Sequence, residues 1–458
     1  MNLKVKAKLD PNFQPLALVI REMREATKEN GQDIIIAIER NKGYVTTYKT
    51  RVFPDGTGHD EENFRFIERV AKSVLWVAGG YKIIIAGSEI IGNKIKEAYK
   101  AGGLREFDVQ FMERVYERPF VVEVCSLEDA PEDKSGAESV GRHLDGCRIG
   151  FDAGGSDRKV SAVINGESVY SEEVVWFPKT NSDPEYHYQG ILDAMKTAAS
   201  KMPRVDAIGV SSAGVYIDNR IMVASLFLKV NDEDFAKKVK NMYLDVAKEI
   251  GENIPVEVAN DGDVTALAGA MDLDDNGVLG IAMGTSEAGG YVDTHGNITG
   301  WINELAFVPV DYNTDAMVDE WSGDYGCGVK YFSQDGVIKL APYANIELQE
   351  SLSPAEKLKV VQGLMEKGDQ NAADIYDTIG AYFGYAIAYY SEFYDIKHVL
   401  IMGRVTSGQG GQILLSRAQE VLDKEFPELA SKIQLHIPDE KSRRVGQSVA
   451  AASLPKIK

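Results

Sequence analysis

IGFDAGGSDRKV, residues 149–160, carries a short apolar stretch into an Asp, a glycine pair and a Ser, and leaves through a basic pair. An apolar run bounded by glycines reads as a strand ending in a tight turn. Gly154 and Gly155 allow backbone angles closed to other residues and remove side chains that would keep an anion from the amide groups. Ser156 and Lys159 add a hydroxyl and an ammonium. Asp152 would repel a phosphate unless a divalent cation lay between them, which makes it a Mg2+ partner through water. A glycine pair between two strands is also, on its own, simply a turn.

Outward from this turn the chain alternates strands and helices. CRIGFDA (147–153), KVSAVING (159–166) and ESVYSEEVVWF (167–177) read as strands, followed by a helical segment near 187–201 and a strand in VDAIGVSSAG (205–214). Upstream, Leu16, Val19, Ile20 and Met23 predict a helix over 15–29. DIIIAIE (33–39), GYVTTYKTRVF (43–53) and YKIIIAG (81–87) read as strands around a helix at 62–78. Residues 126–146 are polar and rich in acids, a boundary region in which a helix at 136–144 is an option. The upstream block either is a worn copy of the element beginning at 147, with ERNKG in place of DAGGS, or resembles it only as loosely as any two α/β stretches do. Downstream, helices are expected at 232–251, from 260 through Ala270, at 354–394 and at 443–453, with strands in IPVEVAN (254–260), GVLGIAMGTS (277–286), GGYVDT (289–294) and HVLIMGR (398–404). Such alternation predicts mixed sheets covered by helices, with ligands at glycine-rich strand ends.

A chain of 458 residues, 44% of them hydrophobic, can build several cores. The formal charge of -20 disfavours nucleic acid and anionic membranes as partners, since both call for clustered Lys and Arg. Three scattered cysteines, Cys125, Cys147 and Cys327, offer neither a disulfide framework nor a multi-cysteine zinc site, and fit a reducing cytoplasm. The N-terminus has no apolar signal core, and no stretch reaches the roughly 18 apolar residues of a membrane span. A soluble cytoplasmic protein is expected.

Two further turns repeat the opening pattern. In GIAMGTSEAGGYV (280–292) a strand runs into Gly284, Thr285 and Ser286, and HVLIMGRVTSGQGG (398–411) ends a strand at Gly403 and continues through Gly408. The first suits a phosphate and the second the close approach of an adenine ring or ribose. No Walker motif, GxGxxG fingerprint or GxSxG elbow is present. In PVEVANDGDVTALAG (255–269), Asn260 and Asp261 stand where a strand passes into a helix. A carboxylate held there can accept a hydroxyl proton in phosphoryl transfer, or can merely cap the helix. Asn303 and Glu304 in GNITGWINELAFVPVD (296–311) are polar residues among apolar ones, suited to sugar hydroxyls or to an exposed loop.

The ordered set DAGGS, SSAG, ANDGDVTALAG, GTSEAGGY, GNITGWINELAFVPVD, GRVTSGQGG and VGQSVAAASL resembles the ROK family of sugar kinases and repressors, within the actin-like ATPase and hexokinase superfamily, over about 147–455. The resemblance implies two ribonuclease-H-like domains, 146–258 with the C-terminal helix 443–458, and 259–442, closing a cleft around a hexose and ATP-Mg2+, behind an accessory α/β domain at 1–145. It implies a glucokinase-like, ATP-dependent sugar kinase. Asp261 would be the general base; Asn260, Asn303 and Glu304 would bind substrate. Asp152, Gly154, Gly155, Ser156, Lys159, Gly284, Thr285, Ser286, Gly403 and Gly408 would bind ATP and its phosphates, with Mg2+ at Asp152. The alternative it leaves open is a weak or inactive sugar- or nucleotide-binding regulator. The departures are Phe307 in place of the family's sugar-binding histidine, Glu287 in the second phosphate turn, and DYGCGVKY (324–331) with one cysteine where the family has a zinc motif, so zinc is not expected. The N-terminal block lacks a basic recognition helix, so DNA is not an expected partner, whereas self-association is an option.

Overall fold

The first four strands form a sheet in the order β2-β1-β3-β4, with β1 (Gln32–Glu39), β2 (Val45–Val52), β3 (Lys82–Ala86) and β4 (Val121–Cys125). The structure, a computed structural model, describes residues 1–134, 140–438 and 440–457. Ile34, Ile36 and Ile38 alternate inward along β1 and are fully buried, the period-two pattern of a strand facing a core. Around this sheet lie α1 (Leu16–Ala26), α2 (Asp60–Ala78), α3 (Glu89–Ala98) and α4 (Glu106–Tyr116). Three acids in its first turn favour the start of α2, and Gly79, at φ 75°, ends it.

The second sheet has the order β11-β8-β5-β6-β7. Its strands are β5 (Cys147–Ala153), β6 (Asp157–Ile164), β7 (Glu167–Val175), β8 (Ala207–Ser212) and β11 (Val256–Asn260), and the hairpin β9 (Val215–Ile217) with β10 (Arg220–Val223) stands apart. β5 is antiparallel to β6 and parallel to β8, and β8 is parallel to β11, as expected for a ribonuclease-H-like domain. The first sheet differs: there the central strand β1 is antiparallel to both β2 and β3. The N-terminal block is therefore no copy of the second sheet, and its likeness in sequence is the loose one shared by α/β segments.

Helix α5 (Pro184–Ala199) and α7 (Met242–Ile250) cover the second sheet. The helix expected at 232–251 is broken: the single turn α6 (Asp232–Asp234) runs into a π-helical stretch before α7 begins. Asn260 starts α8 (Asp261–Leu273). The remaining strands, β12 (Val278–Met283), β13 (Glu287–Val292), β14 (His398–Met402) and β15 (Gln434–His436), form a sheet ordered β13-β12-β14-β15. With them go α9 (Gln334–Leu340), α10 (Pro354–Glu366), α11 (Gln370–Tyr390), α12 (Gln409–Glu425) and α13 (Pro427–Ala430), and α14 (Glu440–Ala452) closes the chain. The long helical region expected at 354–394 holds two helices, separated where Gly368 takes a left-handed φ of 76° and Asp369 caps α11. The tyrosine-rich α11 is core: Gly384 lies against α12, where a Cβ would meet Val421 Cβ at 2.5 Å. The helix considered at 136–144 lies partly outside the described residues, and 140–144 carry none.

The chain forms two compact units. One holds Met1–Gly136, Ile281–Gly289 and Gly300–Ile437; the other holds Ala137–Gly280, Gly290–Thr299 and Pro438–Lys458. The N-terminal block thus shares a unit with the β12–β13 turn and most of the C-terminal half. In the other unit α14 packs so closely on β5 and β8 that a Cβ on Gly209 would stand 1.6 Å from Ala451 O. Among the described residues no helix is long and apolar enough to cross a membrane.

Candidate functional site

In the unit containing β5, that fully buried strand delivers Asp152 next to the turn at residues 154–156. Asp152 is 6% exposed, accepts a hydrogen bond from Ser211 Oγ at 2.8 Å, and lies 3.9 Å from Lys159 Nζ. Burial pushes its carboxyl up to about 6; Ser211 and Lys159 oppose the rise, and the negative fields of Asp261 and Asp157 add to it. Lys159 is drawn to Asp157 at 3.2 Å, so its ammonium is already shared between two carboxylates. The turn is pinned from outside by Trp176, whose indole N–H donates to Gly154 O at 2.7 Å and whose backbone N–H donates to Ser156 O at 3.1 Å. Ser156 is exposed.

Asp261 is the first residue of α8, and its neighbours decide how much of its carboxylate is spent on the helix. The cap is Asn260: its Oδ1 accepts from Gly262 N–H at 2.8 Å and its Nδ2 donates to Gly214 O at 2.7 Å. Asp263 Oδ1 accepts from Tyr291 N–H at 3.0 Å, so it serves β13. Asp261 is left half-buried with one accepted hydrogen bond, from the same Gly262 N–H, at 3.0 Å. Burial raises its carboxyl, against the Gly262 N–H, its own backbone N–H and the positive charge of Lys179. Lys179 and Ser211 were not singled out by residue type and spacing. Ser211 lay in the quoted SSAG segment; Lys179 is marked only by following Phe177–Pro178.

In the other unit, Gly284 N–H donates to Ser286 O at 2.9 Å, closing the β12–β13 turn, and Thr285 accepts from Arg404 Nη2 at 2.6 Å. Thr285 and Ser286 are exposed. Gly403 ends β14 at φ 97° against the backbone of Met283, where a Cβ would fall 2.3 Å from the carbonyl oxygen, and Gly408 precedes α12 at φ 71° with nothing within 4 Å of such an atom. Glu287 does not put charge on this turn. It is 4% exposed, accepts from Tyr390 OH at 3.2 Å, and burial pushes its carboxyl up to about 8.

Asn303 is 2% exposed and receives Tyr394 OH at 2.9 Å, so its side chain belongs to the core, while Glu304 is half-buried. Both are hung on the end of α2: Asn303 N–H donates to Val77 O and Glu304 N–H to Trp76 O, each at 3.0 Å. The Phe307 ring stands 4.3 Å from Trp76 and 5.4 Å from Phe107, in an aromatic cluster of the N-terminal block. In DYGCGVKY, Asp324 is gripped by Lys72 at 2.7 Å, Arg105 at 2.8 Å and Arg69 at 3.0 Å, all buried. Cys327 lies 3.6 Å from Asp324 Oδ2, and burial pushes its thiol up to about 12. Among the described residues no three His, Cys, Asp or Glu side chains are grouped to hold a metal.

The sequence model of the ROK family matches residues 148–436. The chain belongs to the ROK family. Solved structures similar to this ROK protein include a ROK family transcriptional regulator described as a homolog of the E. coli MLC protein, at 17% identity and TM-score 0.54, covering 68% of this chain and 79% of that one. The ROK hexokinase from Thermus thermophilus aligns at 17% identity and TM-score 0.50, over 66% of this chain and 97% of its own. A ROK family glucokinase from Streptomyces griseus, in complex with glucose and AMPPNP, aligns at 19% identity and TM-score 0.45, over 66% and 98%. At such identities the likeness is one of fold, and it spans both kinases and a regulator. No curated protein matches the sequence.

Proposed function

We propose that this ROK protein transfers a phosphoryl group from ATP to a hydroxyl of a hexose or related sugar, with Asp261 as general base. The observation that carries the reading is the division of labour at the start of α8. Asn260 provides the cap and Asp263 holds β13, which leaves the Asp261 carboxylate half-buried with no side-chain hydrogen bond among the described residues, only backbone N–H groups at the helix start. A carboxylate in that state, raised by burial, is suited to accept a hydroxyl proton as the oxygen attacks phosphorus. Glu304 is the half-buried acceptor for sugar hydroxyls, and Asn303 shapes its loop from within the core.

The residues present fit Mg2+-ATP. Asp152 offers a carboxylate oxygen that Ser211 does not occupy, and Gly155 and Ser156 of the adjoining turn are exposed. Asp152 would hold Mg2+, which would supply neutralisation of phosphate charge. Asp152 would orient it, backbone N–H groups of the turn at residues 154–156 donate to phosphate oxygens, and Asp261 takes the proton. The buried, protonated Glu287 keeps the second turn free of a repelling charge at neutral pH.

A coupled assay for ADP release across a panel of hexoses, amino sugars and their epimers tests this; release with at least one sugar is expected. A second reading, a sugar- or nucleotide-binding regulator without turnover, draws on Phe307, which packs against Trp76 where the family has a polar sugar ligand. Calorimetric binding of sugar with no ADP release from any of the panel decides for it.

A further inference from the structure

We infer that Lys179 is a phosphate ligand of this site, its ammonium held over the turn at residues 154–156 to meet the transferring phosphoryl group. The inference rests on the phosphotransfer reading above. Lys179 belongs to the short 3-10 turn Pro178–Thr180, directly after the Trp176 whose indole and backbone N–H groups both grip the glycine turn. This fixes the backbone of the lysine beside the turn. Its side chain then lies across Gly155: a Cβ built on that glycine would stand 2.8 Å from Lys179 Cε and 3.0 Å from Nζ. The missing side chain at 155 is what admits the lysine.

The other cations near the turn are engaged. Lys159 is shared between Asp157 and Asp152, and Arg158 lies over the Trp176 ring, 5.8 Å from its centroid. Lys179 is exposed and forms no ion pair or hydrogen bond with a described residue, yet its charge reaches Asp261. An unpaired ammonium between a glycine turn and a candidate base meets the need of phosphoryl transfer, where charge on the phosphoryl oxygens must be balanced close to the attacked phosphorus. In the step, the bond from phosphorus to the leaving diphosphate oxygen breaks and the bond from the sugar oxygen to phosphorus forms. The hydroxyl proton passes to Asp261.

Lys179→Met, Lys179→Arg and Gly155→Ala, each in the full chain, test it. Calorimetric titration with a non-hydrolysable ATP analogue is expected to show affinity lowered about tenfold by Lys179→Met, about 1.4 kcal/mol, with adenosine binding unchanged. In the sugar-phosphorylation assay kcat is expected to fall roughly a hundredfold at unchanged sugar KM, as for loss of one charge-stabilising donor, and Lys179→Arg is expected to restore part of it. Gly155→Ala displaces only the end of a flexible side chain, so it folds. It is expected to lower kcat in the wild-type background and to add little to Lys179→Met, because both act through one group. Unchanged analogue affinity and unchanged kcat in Lys179→Met, in a wild type that binds and turns over, overturn the role of Lys179 alone. A wild type that binds no triphosphate overturns the phosphotransfer reading and this inference together.

Discussion

The turns at 154–156 and 284–286 look alike as sequence, each a strand running into glycine and hydroxyl residues, yet the carboxylates around them live under different rules. Asp152 is buried and Asp261 half-buried, close enough for the charge of Asp261 to raise Asp152, with one hydroxyl, two backbone amides and two lysines as compensation. Glu287, beside the second turn, is raised by burial and by the negative charge of Glu304, and it meets both by keeping its proton. A third arrangement, in the same unit as Glu287, is Asp324 among Lys72, Arg69 and Arg105: burial pushes it up, but Lys72 and Arg69 outweigh burial and hold it below the usual carboxylate range. Burial alone therefore does not mark a reactive acid. Partial compensation does, because a group left with a raised pKa and little hydrogen bonding keeps capacity for a ligand or a proton.

The three arrangements respond differently to losing the charge. Asp324→Asn leaves Lys72, Arg69 and Arg105 buried around a neutral amide, and is expected to cost about 3–5 kcal/mol, read as a fall in denaturant midpoint. Trp76→Ala, which removes the indole packed on Phe307 and hydrogen-bonded to Asp108 at 2.8 Å, is expected to cost about 3 kcal/mol and to raise the sugar KM, since the Glu304–Phe307 segment loses the ring it packs on.

Glu287→Gln works in the opposite direction. The folded carboxyl holds its proton to about pH 8, whereas the unfolded chain releases it near the ordinary glutamate value of 4.5. Between those limits the native state binds more protons, so its stability falls as pH rises, by up to about 1.4 kcal/mol per unit. The glutamine variant removes that slope, and thermal melts from pH 5 to 9 are expected to show it as the more stable protein above pH 8. Asp152→Asn follows the same sign with a smaller span, from the ordinary 3.8 to about 6. A modest gain in melting temperature at pH 7, absent at pH 4 and accompanied by loss of turnover, is expected. A melting temperature lowered at pH 7 by either of these two substitutions breaks the comparison.

Much of this was legible beforehand because it follows from local pattern. The run CRIGFDA into a glycine pair, the Asn–Asp pair opening α8 and the glycines after β14 all announce strand ends and turns by composition. The break between α10 and α11 was also signalled, by Gly followed by a capping Asp in EKGDQ, but the apolar periodicity on both sides hid it. What could not be read are roles made by distant residues. Lys179 matters through Gly155, Glu287 through Tyr390 and the close approach of Gly328, and Asp324 through three cations on or beside α2 and α4. Asn303 has the residue type of a sugar ligand, but its left-handed φ of 50° and the hydroxyl of Tyr394 commit it to the core.

The central claim is that Asp261 takes the proton of the attacked hydroxyl, and single-turnover ADP release by Asp261→Asn against wild type, at saturating sugar and ATP, tests it most directly. The rate is expected to fall by about 10²–10⁴, with affinity for the non-hydrolysable ATP analogue unchanged. A variant that releases ADP at the wild-type rate contradicts the account.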